Sequence, residues 1–355
     1  MKPYLKKFKE DEEHRKRVLE GINLTGTPLE LKTCRVLIEN GFNASEKRFT
    51  EELRDGVTKS RQIDIVARYK DNLELVTFPG QKIILNPIIL GECKYSNKDD
   101  QALLIFDIEK HDIPNTVLGF PVFTNGEAFN YIYHDNSVPF DDFVKTFDIQ
   151  LISKSIKEFD MANIKSNVDK EELYNACDTQ LLPALNYYFK KYLKIIHSDY
   201  IAIAKRFGFD KEAIDKSLRH KPNIVPIEEM KKLYFPIYLF LPIIVTNKDL
   251  IKVEVNESGD IVNLNEAGYC IYLFSPSDLQ KNSLLLRNRW EQPVIVCNIE
   301  YLDECVKKLK NGINKIKEDL EENIQRHPDR IIEDINTFLS TYDTFILYEF
   351  FNVKK

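Results

Sequence analysis

The sequence contains little glycine, and its cysteines and histidines are widely scattered. It has 12 glycines and no G-x-x-x-x-G-K-[ST] loop, so a phosphate-cradling site of that type is excluded. Any ATP-driven translocation would therefore need a separate subunit. None of the six cysteines forms a C-x-x-C pair, which indicates free thiols in a reducing compartment rather than zinc ligands or disulfides. The six histidines lie far apart, so a histidine-based metallohydrolase is not expected.

The chain also lacks an excess of positive charge and any long hydrophobic run. Its formal net charge of -6 argues against a protein that coats nucleic acid, although an enzyme acting on DNA can confine its basic residues to one cleft. Residues 1–7 contain no apolar segment typical of a secretory signal. The longest apolar run, residues 233–245, contains two prolines and falls short of the roughly 20 residues of a membrane helix. We therefore expect a cytoplasmic protein.

Length and composition predict a globular protein of about two domains. The hydrophobic fraction is 43% and the charged fraction is 30%, as in soluble globular proteins. We assign residues 1–24 to a charged helix, 25–150 to a first α/β domain and 151–235 to a helical segment. Residues 236–355 are assigned to a second, smaller α/β domain, whose expected role is recognition, oligomerisation or the docking of a partner.

The first domain is expected to contain a helix followed by a mixed sheet. Thr27 and Pro28 suit the start of that helix, and Gly41 suits its end. The apolar patterns then predict strands at residues 62–67, 73–77, 83–94 and 117–123 and a helix at residues 99–111. Further along, they predict helices over residues 151–217, strands at 233–245, 251–255, 261–264, 270–274 and 294–298, and helices at 300–325 and 329–339.

One apolar strand ends with two opposite charges. Because side chains alternate along a strand, Glu92 and Lys94 project from the same face, and Cys93 points to the other. A cross-strand salt bridge at a solvated edge is one explanation for such a pair. A metal-dependent hydrolytic site is the other.

Two further acids precede this strand. Asp64 lies between Ile63 and Ile65 in a β-branched run, and alternation predicts that the two isoleucines share one face and Asp64 the other. Aspartate is disfavoured in strands and costly to bury alone, so its position is informative. Glu30 stands in the first turn of the preceding helix, where the helix dipole alone favours an acid.

These residues resemble the motifs of the PD-(D/E)xK nuclease superfamily, which has the restriction-endonuclease-like fold. The resemblance lies in the order and spacing of Glu30, Asp64 and the segment Glu92-Cys93-Lys94. Ile63 stands where the family has a proline that is often lost. The approach to Asp64 and the helix that carries Glu30 are most similar to those of Mrr-type restriction enzymes. The resemblance covers residues 25–130 approximately.

The resemblance implies a Mg²⁺- or Mn²⁺-dependent endonuclease that hydrolyses the phosphodiester bonds of DNA in restriction or phage defence. Asp64 and Glu92 would supply the hard oxygen ligands that these ions prefer, with the backbone carbonyl of Cys93 as a further ligand. Lys94 would orient or deprotonate the attacking water and contact the scissile phosphate. Glu30 would orient the ligands from outside or bind a second metal ion.

The resemblance also gives a role to Gln101, which would lie early in the predicted helix 99–111 and contact the nucleic acid near the phosphate. Two other interpretations stay open: a non-catalytic nucleic-acid-binding or assembly subunit with a vestigial nuclease fold, and an RNase. The complete set of Asp64, Glu92 and Lys94 argues against the vestigial subunit, because a degenerate chain would be free to lose any of them. Residues 151–355 are expected to form a homo-oligomer or to bind a partner subunit.

Overall fold

A large mixed β-sheet with helices on both faces is the frame of the molecule. The computed structural model describes residues 7, 9–23, 25–52, 58–71, 73–75, 82–97, 100–108, 118–123, 137–166, 172–192, 234–276 and 291–326. The helices are α1 (Glu12–Asn23), α2 (Thr27–Glu39), α3 (Phe140–Phe147), α4 (Glu172–Ala176) and α5 (Leu302–Arg326). A π turn (Cys177–Leu181) continues α4, and residues 182–192 are again helical. We call residues 172–192 the covering helix.

The described residues include fourteen strands. In sequence order they are β1 (Phe42–Glu52), β2 (Thr58–Tyr69), β3 (Leu73–Leu75), β4 (Lys82–Lys94), β5 (Gln101–Asp107), β6 (Leu118–Phe123), β7 (Ser137–Pro139), β8 (Ile152–Asp160), β9 (Lys165–Ser166), β10 (Tyr234–Thr246), β11 (Asp249–Val255), β12 (Ile261–Ala267), β13 (Tyr269–Phe274) and β14 (Gln292–Asn298). Within the described residues, no helix has the length and apolar character that spanning a bilayer would require.

The sheet order is β1-β2-β4-β10-β14-β13-β8-β5-β11-β12. The first three strands are antiparallel neighbours, whereas β4, β10 and β14 run parallel. The pairing of β4 with β10 extends without interruption from Lys82 opposite Tyr234 to Lys94 opposite Thr246. The sequence regions that we divided at residues 150 and 235 therefore share one sheet.

Alternation along the inner strands gives the sheet two apolar faces. On one face, residues such as Leu37 of α2, Phe147 of α3 and Leu309 of α5 are buried together. On the other face, Leu181 and Leu185 of the covering helix are buried in a second core. Because helices cover both faces, the central strands read as nearly continuous apolar runs, as is usual for parallel strands in α/β proteins.

Two segments that the sequence predicts as helical contain strands. Residues 99–111 contain β5, which pairs with β8 and β11, and residues 151–217 begin with β8. The spacing of the apolar residues in β5 fits both the helical and the strand period. Pairing with neighbouring strands on both of its edges stabilises the strand. Helical structure is found over residues 172–192. Residues 193–217 and the predicted helix 329–339 lie outside the described part of the chain.

The packing of α3 on α5 predicts that replacing a helical glycine, Gly312, by alanine destabilises the protein. A Cβ at Gly312 of α5 would overlap the buried ring of Phe147, with Cγ only 2.8 Å away. We expect Gly312→Ala to lower the free energy of unfolding by about 1–3 kcal/mol, in spite of alanine's better helix propensity. Gly21→Ala, in α1, meets nothing within 4 Å and should raise it by up to about 1 kcal/mol. Urea denaturation followed by circular dichroism measures both, and a stabilised Gly312→Ala would contradict this packing.

Candidate active site

The carboxyl ends of three parallel strands meet at one edge of the sheet. Lys94 ends β4 and Asn298 ends β14, on either side of β10. Asn247, which follows β10, accepts a hydrogen bond from the backbone N–H of Ser96 and donates one to its carbonyl, each at 2.7 Å. Asn298 donates to the carbonyl of Lys248 at 3.0 Å. This is the edge at which open α/β sheets usually bind ligands.

Glu92 and Lys94 project from the same face of β4, as alternation predicts. They follow Leu90, which packs against the covering helix. The Lys94 ammonium lies 3.4 Å from Glu92 Oε2 and donates a hydrogen bond of 2.6 Å to Gln180 Oε1. The Glu92 side chain has no exposed surface and that of Lys94 is 17% exposed. A salt bridge at a solvated edge therefore does not describe this pair.

Ionisation of Glu92 is unfavourable in this environment. Its Oε1 atom is buried, and no donor in the described part of the chain reaches it. Burial raises the pKa of Glu92 to about 8, and the charge of Asp64 acts in the same direction, whereas Lys94 lowers it. A hydrogen bond between the Glu92 and Asp64 carboxyl groups also raises this pKa, because it requires a proton. With a pKa of about 8, Glu92 is mostly protonated at neutral pH.

Asp64 occupies a β-bulge in β2. The register between β1 and β2 shifts by one residue here, so that Asp64 and Ile65 together oppose a single residue of β1. The extra residue changes the alternation along β2. Ile63 packs with Val66 in the core under the covering helix, and Ile65 packs in the opposite core. The prediction that Ile63 and Ile65 share one face is therefore wrong.

The bulge gives the Asp64 carboxylate a backbone partner on β4. Its Oδ2 accepts a hydrogen bond of 2.9 Å from the N–H of Cys93. The last paired residues of β2 and β4 are Ile65 and Gly91, and one further step in that register brings Asp64 opposite Glu92. The two carboxylates that the sequence singles out are thus neighbours on adjacent strands.

The opposite face of β4 carries Cys93 and meets α2. The Cys93 thiol donates to the hydroxyl of Thr33, with the sulfur and oxygen 3.7 Å apart. Burial raises the pKa of this thiol, the hydrogen bond with Thr33 lowers it, and the charges of Asp64, Glu30 and Glu92 raise it, so the net shift favours the neutral thiol. Glu30 therefore lies near the site, but on the helix that packs against the Cys93 face.

The residues present fit a divalent cation held by two carboxylates. The described residues include no group of three histidine, cysteine, aspartate or glutamate side chains that would hold one ion. Mg²⁺, however, usually takes one or two carboxylates and retains several waters. Asp64 and Glu92 provide such a pair, and Glu92 Oε1 is an oxygen that a cation would satisfy. The roles predicted for Glu30 and for the Cys93 carbonyl stay predictions.

Gln101 lies at the start of β5 rather than in a helix. Its backbone is paired with Asp160 of β8, and its Oε1 accepts a hydrogen bond of 2.7 Å from the hydroxyl of Ser96. Ser96 is two residues beyond Lys94, so Gln101 is tied to the same edge of the sheet. Its contact with nucleic acid stays a prediction.

Gln180, the partner of Lys94, is not predictable from the sequence pattern. This residue is 86 positions away and belongs to the π turn of the covering helix. Such turns are rare and frequently occur at functional sites, but their positions are not evident from local sequence. Only the path of the chain between β4 and β10 brings Gln180 to the site.

No family model matches the chain, and neither a curated protein nor a solved structure is significantly similar to it. The geometry of the site is therefore the basis for a functional inference.

The raised pKa of Glu92 predicts that the metal-free protein loses stability between about pH 5 and pH 8. In the unfolded chain, Glu92 ionises near its ordinary value of 4.5, whereas the folded protein keeps the proton up to about 8. The folded state binds more protons in this window, so the free energy of unfolding decreases as the pH rises. Urea denaturation in EDTA across the window measures the slope.

Glu92→Gln should remove this component of the slope, because the amide has the same shape and does not titrate. Glu254→Gln on β11, where the glutamate is only partly buried, is the matched control and should retain it. An unchanged slope in Glu92→Gln would show that Glu92 ionises normally in the fold.

Proposed function

We propose that this protein is a Mg²⁺- or Mn²⁺-dependent nuclease of the PD-(D/E)xK type that hydrolyses phosphodiester bonds in DNA. The observation that carries this proposal is the Glu92 carboxylate. It is buried on an inner strand beside a second carboxylate, with an ammonium on the same face and with one oxygen that no described donor reaches. A purely structural ion pair usually satisfies both carboxylate oxygens, whereas Lys94 reaches only Oε2 of Glu92.

The architecture around the pair supports the same assignment. Helix α2 precedes three antiparallel neighbours, β1, β2 and β4, and β10 then runs parallel to β4. The two acids thus lie on adjacent strands at the end of the sheet where ligands usually bind. We infer a restriction-endonuclease-like fold for this half of the sheet.

Phosphodiester hydrolysis explains why carboxylates and a lysine are combined here. The anionic oxygens of a phosphodiester repel an attacking hydroxide, so their charge has to be neutralised during the attack. Asp64 and Glu92 would hold the cation, which when bound lowers the pKa of a water ligand and stabilises charge on the phosphate. Glu92 would release its proton on binding, because the ionised carboxylate is the ligand.

Lys94 has a donor available for the reacting groups. An ammonium has three N–H donors, and Lys94 has two hydrogen-bond partners among the described residues, Glu92 and Gln180. The third N–H would orient the attacking water or contact a phosphate oxygen. Gln180 fixes the direction of the ammonium and so limits where that third donor points.

The burial of Glu92 favours a second candidate function. A carboxylate with no exposed surface leaves little room for a cation, its waters and a phosphate. A non-catalytic nucleic-acid-binding or assembly subunit that retains the fold would have no need of that room. In that case Lys94 would serve only to neutralise Glu92. RNA rather than DNA as the substrate is a further variant of the leading proposal.

Cleavage by site variants tests the proposal. The full-length protein is incubated with linear, circular and single-stranded DNA and with RNA, in Mg²⁺, Mn²⁺ or EDTA. We expect metal-dependent cleavage that falls at least about a hundredfold in each of Asp64→Asn, Glu92→Gln and Lys94→Met. The first two variants remove a charge that would hold the cation, and the third removes the ammonium that would act on the water or the phosphate.

The matched controls come from β11, where Lys252 and Glu254 have the same two-residue spacing and lie 3.8 Å apart. Lys252→Met and Glu254→Gln should retain cleavage. Undiminished cleavage in all three site variants would refute the assignment. Binding of nucleic acid without cleavage under any condition would support the second candidate, and cleavage of RNA alone would identify an RNase.

A further inference from the structure

We propose that Lys248 is a positioning residue for this site. It anchors the covering helix so that Gln180 meets the ammonium of Lys94. The expected effect on cleavage rests on the proposed nuclease function, whereas the effect on Lys94 itself does not.

Lys248 is buried and held at both its backbone and its side chain. Its side chain is 4% exposed, and the ammonium lies 2.7 Å from Glu172 Oε2 and 3.2 Å from Glu158 Oε2. Its backbone N–H donates to the Thr246 hydroxyl at 3.1 Å, and its carbonyl accepts from Asn298 at 3.0 Å. The ammonium therefore reaches Glu172, at the start of the covering helix, from a fixed point on the sheet.

The π turn places Glu172 and Gln180 on the same face of the covering helix. They are eight residues apart, whereas two turns of an α-helix take about seven residues. In a purely α-helical segment, Gln180 would be rotated away from the face of Glu172. A π turn closes i→i+5 hydrogen bonds and so accommodates an extra residue, and the turn here spans Cys177–Leu181. Both side chains consequently reach the sheet.

The sheet presents a lysine to each of these two side chains. Lys94 ends β4 and is paired in register with Thr246 on the parallel neighbour β10. Lys248 lies two residues beyond Thr246. Two of the polar contacts between the covering helix and the sheet are thus made at this end of the sheet, by Glu172 with Lys248 and by Gln180 with Lys94.

Apolar packing holds the covering helix on the sheet, but it is less sensitive to a small shift along the helix axis than a hydrogen bond is. Its buried residues include Leu173, Ala176, Cys177, Leu181, Leu182 and Leu185. Hydrophobic burial is non-directional, so a small axial shift would change it little. A hydrogen bond weakens steeply with distance and angle, so the same shift would break the contact of Gln180 with Lys94. The ion pair of Glu172 with Lys248 prevents that shift.

The chemical reactivity of Lys94 tests this without any catalytic assay. The full-length protein is labelled briefly with an amine-reactive acetyl ester, and the labelling rate of each lysine is measured by mass spectrometry after digestion. In Lys248→Met, the rate at Lys94 should rise by about fivefold, the factor implied by loss of one ordinary hydrogen bond. Lys252→Met, which removes a lysine paired with Asp107 on β5, should leave it unchanged.

Loss of a buried charge carries a risk of unfolding, so a milder variant is included. Glu172→Gln retains the size of the side chain and leaves Lys248 with Glu158. Circular dichroism and thermal denaturation identify any variant that does not fold. If Lys248→Met is among them, Glu172→Gln replaces it, with the same increase expected at Lys94. Unchanged labelling of Lys94 in the folded variants would overturn the proposal.

A double-mutant cycle then tests whether Lys248 affects cleavage through Gln180. If Lys248 acts through Gln180, Lys248→Met combined with Gln180→Ala should cleave no more slowly than the slower single variant. Effects that multiply would mean that Lys248 acts independently, and this would overturn the proposal. If the wild-type protein cleaves no substrate, the nuclease assignment fails, while the labelling of Lys94 still decides whether Lys248 positions it.

Discussion

A carboxylate held inside a β-sheet is the constraint on which the rest of the site depends. Transfer of an ionised carboxylate to a protein interior costs several kcal/mol unless charges or donors compensate. Glu92 lies between β2 and β10, paired with Ile244 on one side and beside Asp64 on the other, so it cannot turn out into solvent. The ammonium partner that the described residues provide, Lys94, is 3.4 Å away. Protonation and cation binding are the two ways to relieve this cost.

Local periodicity is sufficient to predict part of this site. That Glu92 and Lys94 share a face follows from strand alternation, which needs no knowledge of neighbouring strands. The surroundings of Asp64 were not predictable in this way, because a bulge arises from the mismatch between two strands. Gln101 shows the same limit: the apolar pattern of its segment fits helix and strand, and pairing with β8 and β11 decides.

The long-range contacts of the site depend on topology rather than on local sequence. Gln180 and Glu172 reach Lys94 and Lys248 because β4 and β10 are parallel neighbours, and a parallel pair needs a crossover. That crossover includes the covering helix, which therefore lies over one face of both strands. The apolar patterns of the sequence predict separate domains for β4 and β10. If β4 and β10 belonged to separate domains, no residue of the segment that connects these two strands would be expected to approach Lys94.

In the proposed metal site, cation binding and protonation would compete for the same oxygen atoms. Below about pH 8, a cation entering between Asp64 and Glu92 would have to displace the proton that Glu92 holds, so part of its binding free energy would be offset. Above that pH, Glu92 is ionised and the cation relieves the repulsion from Asp64 directly. The affinity for a divalent cation should therefore increase up to about pH 8 and then level off. Lys94 has two opposing effects on cation binding. Its charge favours the ionised carboxylate, which eases release of the proton, and it also repels the cation that would replace the proton.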